Sequence, residues 1–267
     1  MVEENFGKKI KKIKYIKNKA AIIFDDGDEL NISLNTFAHF YLYENKTLTK
    51  QEWEEISYSE LLDKQKTYAV NLLSKKVYTE KEVRLKLYSH NVKKEDVDKI
   101  IDYLKDNHFL NDERYASIYL DEYIQKGYGE FKIRNSLKEK GIDENIIEDL
   151  IFDEEVQKEI ATKIGLGTIK KNIKSKSSKA ILDSIERTLR TRGYSSNIVR
   201  FVLLEVENEI PSNEDEVLKI QIDKYLKAHR LDLKEKSNVD KVTRHFLSKG
   251  FKYGQICKFI KEDTWKS

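Results

Sequence analysis

The stretch "KGYGEFKIRNSLKEKGI", residues 126–142, holds a Gly-x-Gly turn, a basic amphipathic run and a further glycine. It reads as a phosphate loop, as part of a nucleic-acid reader, or as a structural unit that the chain uses again. Its second half decides, because it recurs. VRLKLYSHNVKKEDVDKII (83–101), IRNSLKEKGIDENIIEDLI (133–151), IERTLRTRGYSSNIVRFVL (185–203) and VTRHFLSKGFKYGQICKFI (242–260) align without a gap. Val83, Ile133, Ile185 and Val242 open the copies, and Leu87, Leu137, Leu189 and Phe246 follow four residues on. Asn91, Gly141, Gly193 and Gly250 come next, each before an apolar residue: Val92, Ile142, Tyr194 and Phe251. Val97, Ile147, Val199 and Ile256 then precede closing apolar pairs at Ile100–Ile101, Leu150–Ile151, Val202–Leu203 and Phe259–Ile260.

An apolar pair at i, i+4 is the stripe of a helix that faces a core. The glycine falls where that helix ends and a left-handed residue is needed. Asparagine is among the few other residues that take this conformation. The glycine-like positions stand 50, 52 and 57 residues apart, which leaves room for one more helix ahead of each pair. The candidates are SELLDKQKTYAVNLLSKK, DERYASIYLDEYIQKG, EEVQKEIATKIG and EDEVLKIQIDKYLKAHR. The expected fold is therefore mainly α: tandem three-helix repeats in an elongated, curved array. The expected boundaries are a β-rich module at 1–58 and repeats at 59–110, 111–153, 154–210 and 211–267.

Ahead of the repeats, residues 8–34 read as strands of a small antiparallel sheet, with Asp26-Gly27 as a hairpin turn. Seven lysines between 8 and 19 line this region as a solvated, basic strand face. Thr49 and Glu52 match a capping box before the first long helical run. A single proline and ten glycines in 267 residues suit long helices. Cys257, the only cysteine, excludes an intramolecular disulfide and fits a reducing, cytoplasmic setting. The N-terminus lacks the apolar core of a signal peptide, and no apolar run is long enough to span a membrane.

No catalytic constellation emerges, so no enzyme, no cofactor and no metal is expected. The five histidines show no ligand spacing. Cys257 sits on an apolar helical stripe and reads as a buried thiol. There is no Walker A run, and GYG at Gly127–Gly129 follows no strand, so it gives no dinucleotide site. GLGTIKK (165–171) reads as an interhelical loop, with a phosphate cradle as the alternative. KKNIKSKSSK (170–179) reads as a mobile link. Tyr115, Tyr119 and Tyr123 recur at helical spacing and read as a packed face. The net charge of +3 hides polarisation: residues 142–160 carry a net −7, and residues 161–200 a net +8.

The segment FLNDERYASIYLDEYIQKGYGEFKIRNSLKEKGI, Phe109 to Ile142, resembles the signature of the RecX family of recombination regulators. The resemblance lies in Leu110-Asn111-Asp112, Arg114-Tyr115, the Lys126–Gly129 turn, and Ile133, Arg134, Leu137, Lys140, Gly141 and Ile142. It covers residues 65–155 best. Asn111, Tyr123 and Asn91 depart from the family pattern. The resemblance implies a non-enzymatic, monomeric protein that binds the RecA recombinase filament on single-stranded DNA and inhibits its ATPase and strand exchange. Direct contact with single- or double-stranded DNA is compatible with it, and a helical-repeat DNA- or RNA-binding protein without a recombinase partner is the alternative. The basic residues then become candidates for filament or DNA contact: Lys126, Tyr128, Lys132, Arg134, Lys138, Lys140, Lys170, Lys171, Lys174, Lys176, Lys179, Arg187, Arg190 and Arg192.

Overall fold

The computed structural model describes residues 7–210 and 214–264. Met1–Phe6, where the stretch lacking a signal-peptide core begins, and parts of the expected fourth repeat lie outside the described residues. Strands β1 (Lys8–Ile16), β2 (Lys19–Phe24) and β3 (Glu29–Ser33) precede α1 (Leu34–His39) and the two-residue β4 (Thr47–Leu48). Twelve further helices follow in threes. They are α2 (Lys50–Leu73), α3 (Glu80–Ser89) and α4 (Lys94–Asp106), then α5 (Asp112–Gln125), α6 (Glu130–Glu139) and α7 (Glu144–Glu148). Next come α8 (Glu154–Asn172), α9 (Ser178–Thr191) and α10 (Ser196–Glu207), and last α11 (Glu214–His229), α12 (Lys236–Ser248) and α13 (Tyr253–Thr264). The fold is mainly α, with tandem three-helix units and a small antiparallel sheet.

Two compact units divide the chain. One holds the described residues up to Tyr115 together with Lys140–Ile142, and the other holds Ala116–Glu139 and the residues from Asp143 onward.

In the first unit the strand order is β3-β2-β1-β4, all antiparallel. Gly27, at φ +89°, makes the β2–β3 turn. One sheet face buries Ile10, Ala20, Ile22, Phe24 and Ile32 against Ile56, with Trp53 alongside. The sheet thus gains the helix packing that stabilises so small an element. Trp53 and Ile56 lie on α2, which begins with the expected capping box between Thr49 and Glu52. The same helix runs on through residues 58 and 59 and packs Leu62, Tyr68 and Ala69 against Val83, Leu87, Val97, Ile100 and Leu104. One helix therefore serves both the sheet and the first three-helix core.

The glycine-like positions adopt the left-handed backbone: Asn91 at φ +59°, Gly141 at +81°, Gly193 at +85° and Gly250 at +86°. Paired hydrogen bonds close the helix ends at Asn91, Gly193 and Gly250. Val92 N–H reaches Leu87 O, Tyr194 N–H reaches Leu189 O and Phe251 N–H reaches Phe246 O, while residues 91, 193 and 250 bond the carbonyls of 88, 190 and 247. The apolar residue after each turn is buried, which fastens the turn to its helix.

Three expectations are corrected. GLGTIKK is neither a loop nor a phosphate cradle, since it lies within α8. A Cβ at Gly165 would stand 3.1 Å from Val202 and 3.3 Å from Val206, so the missing side chain lets α8 approach α10 closely. KKNIKSKSSK is not a free link either. Lys170–Asn172 form the last turn of α8, Ser177 accepts from Ala180 N–H to cap α9, and only residues 173–177 connect the helices. The closing apolar pair also fails in the second copy. Ile100 and Ile101 are fully buried, whereas Ile151 is 86% exposed. Helix α7 stops after five residues, and Arg134 donates to the carbonyls of Ile147 and Leu150 that further turns would have used. A smaller difference concerns Cys257, which is half-buried rather than buried.

The two glycines of α8 make a paired test. Gly165→Leu forces bulk against Val202 and should lower unfolding free energy by about 1–3 kcal/mol. Gly167 has nothing within 4 Å of its would-be Cβ. Gly167→Ala should raise stability by about 0.5–1 kcal/mol, as glycine-to-alanine does at open helical sites. Urea unfolding of both variants checks the opposite signs.

Candidate functional site

The candidate residues separate by what holds them. In the second unit, backbone contacts bring two distant segments together. Gly129 N–H donates to Arg192 O at 2.8 Å, and Phe131 N–H donates to Gly193 O at 3.1 Å. These are first-turn amides of α6, which have no partner inside their own helix. The contact demands small residues on both sides. A Cβ on Gly129 would lie 2.5 Å from Gly193 O, and one on Gly193 would lie 2.4 Å from Lys132 N.

Arg192 reinforces the contact. Its guanidinium donates to Lys126 O at 3.1 Å and Gly127 O at 3.0 Å, and it lies 5.7 Å from the centre of the Tyr128 ring. Tyr128 faces Tyr123 at 5.5 Å, and Tyr123 stacks on Tyr119 at 3.9 Å. Tyr115 and Tyr119 are buried, as the helical spacing suggested, and Tyr123 is half-buried. Burial pushes the Tyr194 hydroxyl up to about 12. Lys126 stays exposed above the Tyr123 ring and pairs with Glu122, which raises its ammonium above the usual lysine range. The site thus gathers Lys126, Tyr128, Lys132 and Arg192 on a rigid aromatic support.

Similar contacts occur at two other closing turns. Ser177 donates to Lys249 O at 3.3 Å beside Gly250, in the second unit. Thr79 donates to Lys140 O at 2.9 Å beside Gly141, in the first. The Gly-x-Gly of residues 127–129 therefore serves chain packing. Sequence reasoning missed Gly129, Thr79 and Ser177 as partners of these turns, although each sits at the start of a second helix.

Several expected contact residues are committed internally. Arg134 pairs with Glu130 at 2.7 Å, donates to the two α7 carbonyls and lies over Phe152. Lys140 pairs with Glu82 at 2.9 Å and lies over Tyr115. The Glu82 carboxylate holds the Lys140 ammonium well above the usual lysine range. Burial pushes the Glu82 carboxyl up, but Lys140 and the Thr79 amide reverse this and leave it below its ordinary value. Lys138 pairs with Glu144. Arg190 pairs with Glu186 at 2.8 Å, beside a shallow apolar groove between α9 and α10.

Other candidates face solvent. Lys132, Lys170, Lys171, Lys174, Lys179 and Arg187 are exposed, and Lys176 is half-buried. Lys170 and Lys171 sit favourably at the C-terminal, negative end of α8. Lys179 sits in the first turn of α9, which contains no acid. A cation there opposes the helix dipole, so packing and capping do not explain its charge. Among the described residues, no group of three or more His, Cys, Asp or Glu is placed to hold a metal ion. No described helix is long and apolar enough to cross a membrane.

Family models fit the two best-conforming units: RecX, first three-helix domain, over residues 66–104, and RecX, second three-helix domain, over residues 111–151. Regulatory protein RecX of Lactococcus lactis is 30% identical over 96% of this chain and 97% of its own. The chain belongs to the RecX family. Regulatory protein RecX of Listeria welshimeri is also 30% identical, over 92% of this chain and 93% of its own. A crystal structure of regulatory protein RecX superimposes with a TM-score of 0.65 at 25% identity, covering 73% of this chain and 98% of that one. The chain thus has relatives along nearly its whole length, including the N-terminal sheet and the later repeats.

Two predictions follow from the junction chemistry. Gly27 and Gly193 share a left-handed backbone, but only Gly193 is crowded. Gly27→Ala should cost about 1–2 kcal/mol from backbone strain alone. Gly193→Ala should cost a further 1–3 kcal/mol or so, because α6 must move. Denaturation midpoints give the comparison. Glu82→Gln keeps the cap acceptor but removes the charge facing Lys140, and should cost about 0.5–1 kcal/mol. Because the folded Glu82 pKa is depressed, that difference is full above the ordinary glutamate pKa. It should vanish as pH falls through the folded value. A pH series of unfolding curves for both proteins measures it.

Proposed function

We propose that this protein regulates the RecA recombinase by binding its filament on single-stranded DNA, lowering ATP hydrolysis and strand exchange. The reading is carried by the nearly full-length similarity to proteins named as RecX regulators. It takes the protein to be a monomeric, cytoplasmic, non-enzymatic regulator. Contact with the acidic filament or its DNA falls to the exposed cations, foremost Lys132, Lys170, Lys171, Lys174 and Lys179, because they are spare from internal bonds. Within the second unit, Arg134 and Arg192 fix turns by donating to backbone carbonyls. Lysines suit such a task, since compact charges on flexible stems neutralise phosphates without demanding a base sequence.

The test is RecA-dependent, single-strand-stimulated ATP hydrolysis with and without this protein. Stoichiometric protein should suppress hydrolysis several-fold. Lys170→Glu/Lys174→Glu/Lys179→Glu should relieve most of that suppression while leaving the circular dichroism spectrum unchanged. Full hydrolysis in the presence of stoichiometric wild-type protein would overturn the proposal in favour of a nucleic-acid binder that acts without the recombinase. Unchanged suppression by the folded triple variant would place the contact elsewhere.

A further inference from the structure

The N-terminal sheet carries a charge pattern that the regulatory reading does not use. Residues 9–19 contain six lysines and no acid. Lys8, one residue earlier, is held by Asp26 at 3.0 Å and by Asp28, and lies 4.9 Å from the Trp53 ring centre. Lys9, Lys11, Lys12, Lys14, Lys17 and Lys19 are all exposed, and among the described residues none has a carboxylate within ion-pair distance.

The register places three of them on one face. Ile13 pairs with Ile22 and Tyr15 with Ala20, on the face that carries the core, where Tyr15 meets the Phe37 ring edge-on at 5.6 Å but stays mostly exposed. The alternating pairs, Lys12 with Ile23, Lys14 with Ala21 and Ile16 with Lys19, therefore face outward. Lysines often protect an open edge strand from pairing with another chain. That role accounts for Lys12 and Lys14, which lie on β1 beyond its short pairing with β4 at Lys8 and Lys9, but not for Lys19, which lies on β2 between β1 and β3.

Exposed aromatics flank the same strand. The loop before β4 is tied to β1 by Ile10 N–H to Lys46 O (2.9 Å), Asn45 N–H to Ile10 O (2.8 Å) and Ile13 N–H to the Glu44 carboxylate (3.1 Å). That loop presents Tyr41 and Tyr43, 83% and 62% exposed, along the edge of β1. Exposed phenol rings beside unpaired lysines match the needs of a single strand. Ammonium groups track its phosphates, and rings stack on bases that a duplex keeps hidden.

We propose that the outer face of β1–β2, with the Tyr41–Tyr43 loop, is a binding surface for single-stranded nucleic acid. It is separate from the cations assigned above to the recombinase filament. Lys12, Lys14 and Lys19 contact phosphates, and Tyr41 and Tyr43 stack on bases. Both DNA and RNA strands offer this chemistry.

The test uses the full chain and fluorescently labelled oligo(dT), with no recombinase present, read by anisotropy over a salt series. Wild-type affinity should fall linearly on logarithmic axes as salt rises. Lys12→Glu/Lys14→Glu/Lys19→Glu should weaken binding at least tenfold and flatten the salt slope by about 2, at roughly 0.7 per strand phosphate. Tyr41→Ala/Tyr43→Ala should weaken binding about tenfold with the slope unchanged, as lost stacking does. A folded lysine variant with unchanged affinity and slope would overturn the proposal. So would tighter binding to a duplex of equal length, or complete loss of oligo(dT) binding on reversing Lys170, Lys174 and Lys179 instead. Because no RecA is present, failure here leaves the regulatory reading intact, and failure there leaves this one intact.

Discussion

A left-handed glycine whose neighbouring carbonyl receives the first amides of another helix is the constraint on which much of this protein depends. Helix starts present unpaired N–H groups and helix ends present unpaired carbonyls. In the second unit these needs cancel where Arg192 O and Gly193 O meet Gly129 and Phe131. The arrangement works only without a Cβ at either glycine. One residue type thus ends a helix, turns the chain and admits a close neighbour. The candidate site inherits its position from this contact, since Lys126, Tyr128 and Lys132 lie within and around the Gly127–Gly129 pair and Arg192 precedes Gly193.

Much of this was legible in the sequence. Four gapless copies, each with a stripe at i, i+4 and a turn residue after it, define helix, stop and helix. The left-handed turns at Asn91, Gly141, Gly193 and Gly250 followed from residue type alone. The errors arose where a residue has two physical uses. The two glycines of GLGTIKK suggest a loop, because glycine is poor in helices. In fact Gly165 occupies a stripe with Gln157, Ala161 and Ile169, four residues apart and all buried. That spacing was the available signal, but the crowding side chains of Val202 and Val206 lie about 40 positions away and only the folded chain brings them near. The short α7 has the same origin, because nothing local shows that Arg134 will take the carbonyls at its end.

The candidate site was less legible than the fold, because composition counts charges without saying which are spent on structure. The structure separates them along chemical lines. The arginines Arg134 and Arg192, with planar, multiply donating heads, bind backbone carbonyls. The exposed remainder consists mostly of lysines, whose charge is mobile and strongly hydrated. On the proposed reading, this protein keeps its geometry with guanidinium groups and meets polyanions with ammonium groups. It should recognise a charged backbone rather than a base sequence.

The junction itself can be measured most directly by amide hydrogen exchange at Gly129 and Phe131. Amides in the first turn of a helix ordinarily exchange quickly, since they lack a partner within the helix. Here they should be protected to about the level of the α9 core amides, and Gly193→Ala should expose them while leaving α9 itself protected. Fast exchange at both positions in the intact protein would contradict the carbonyl-to-helix-start contact and the placement of the candidate site that rests on it.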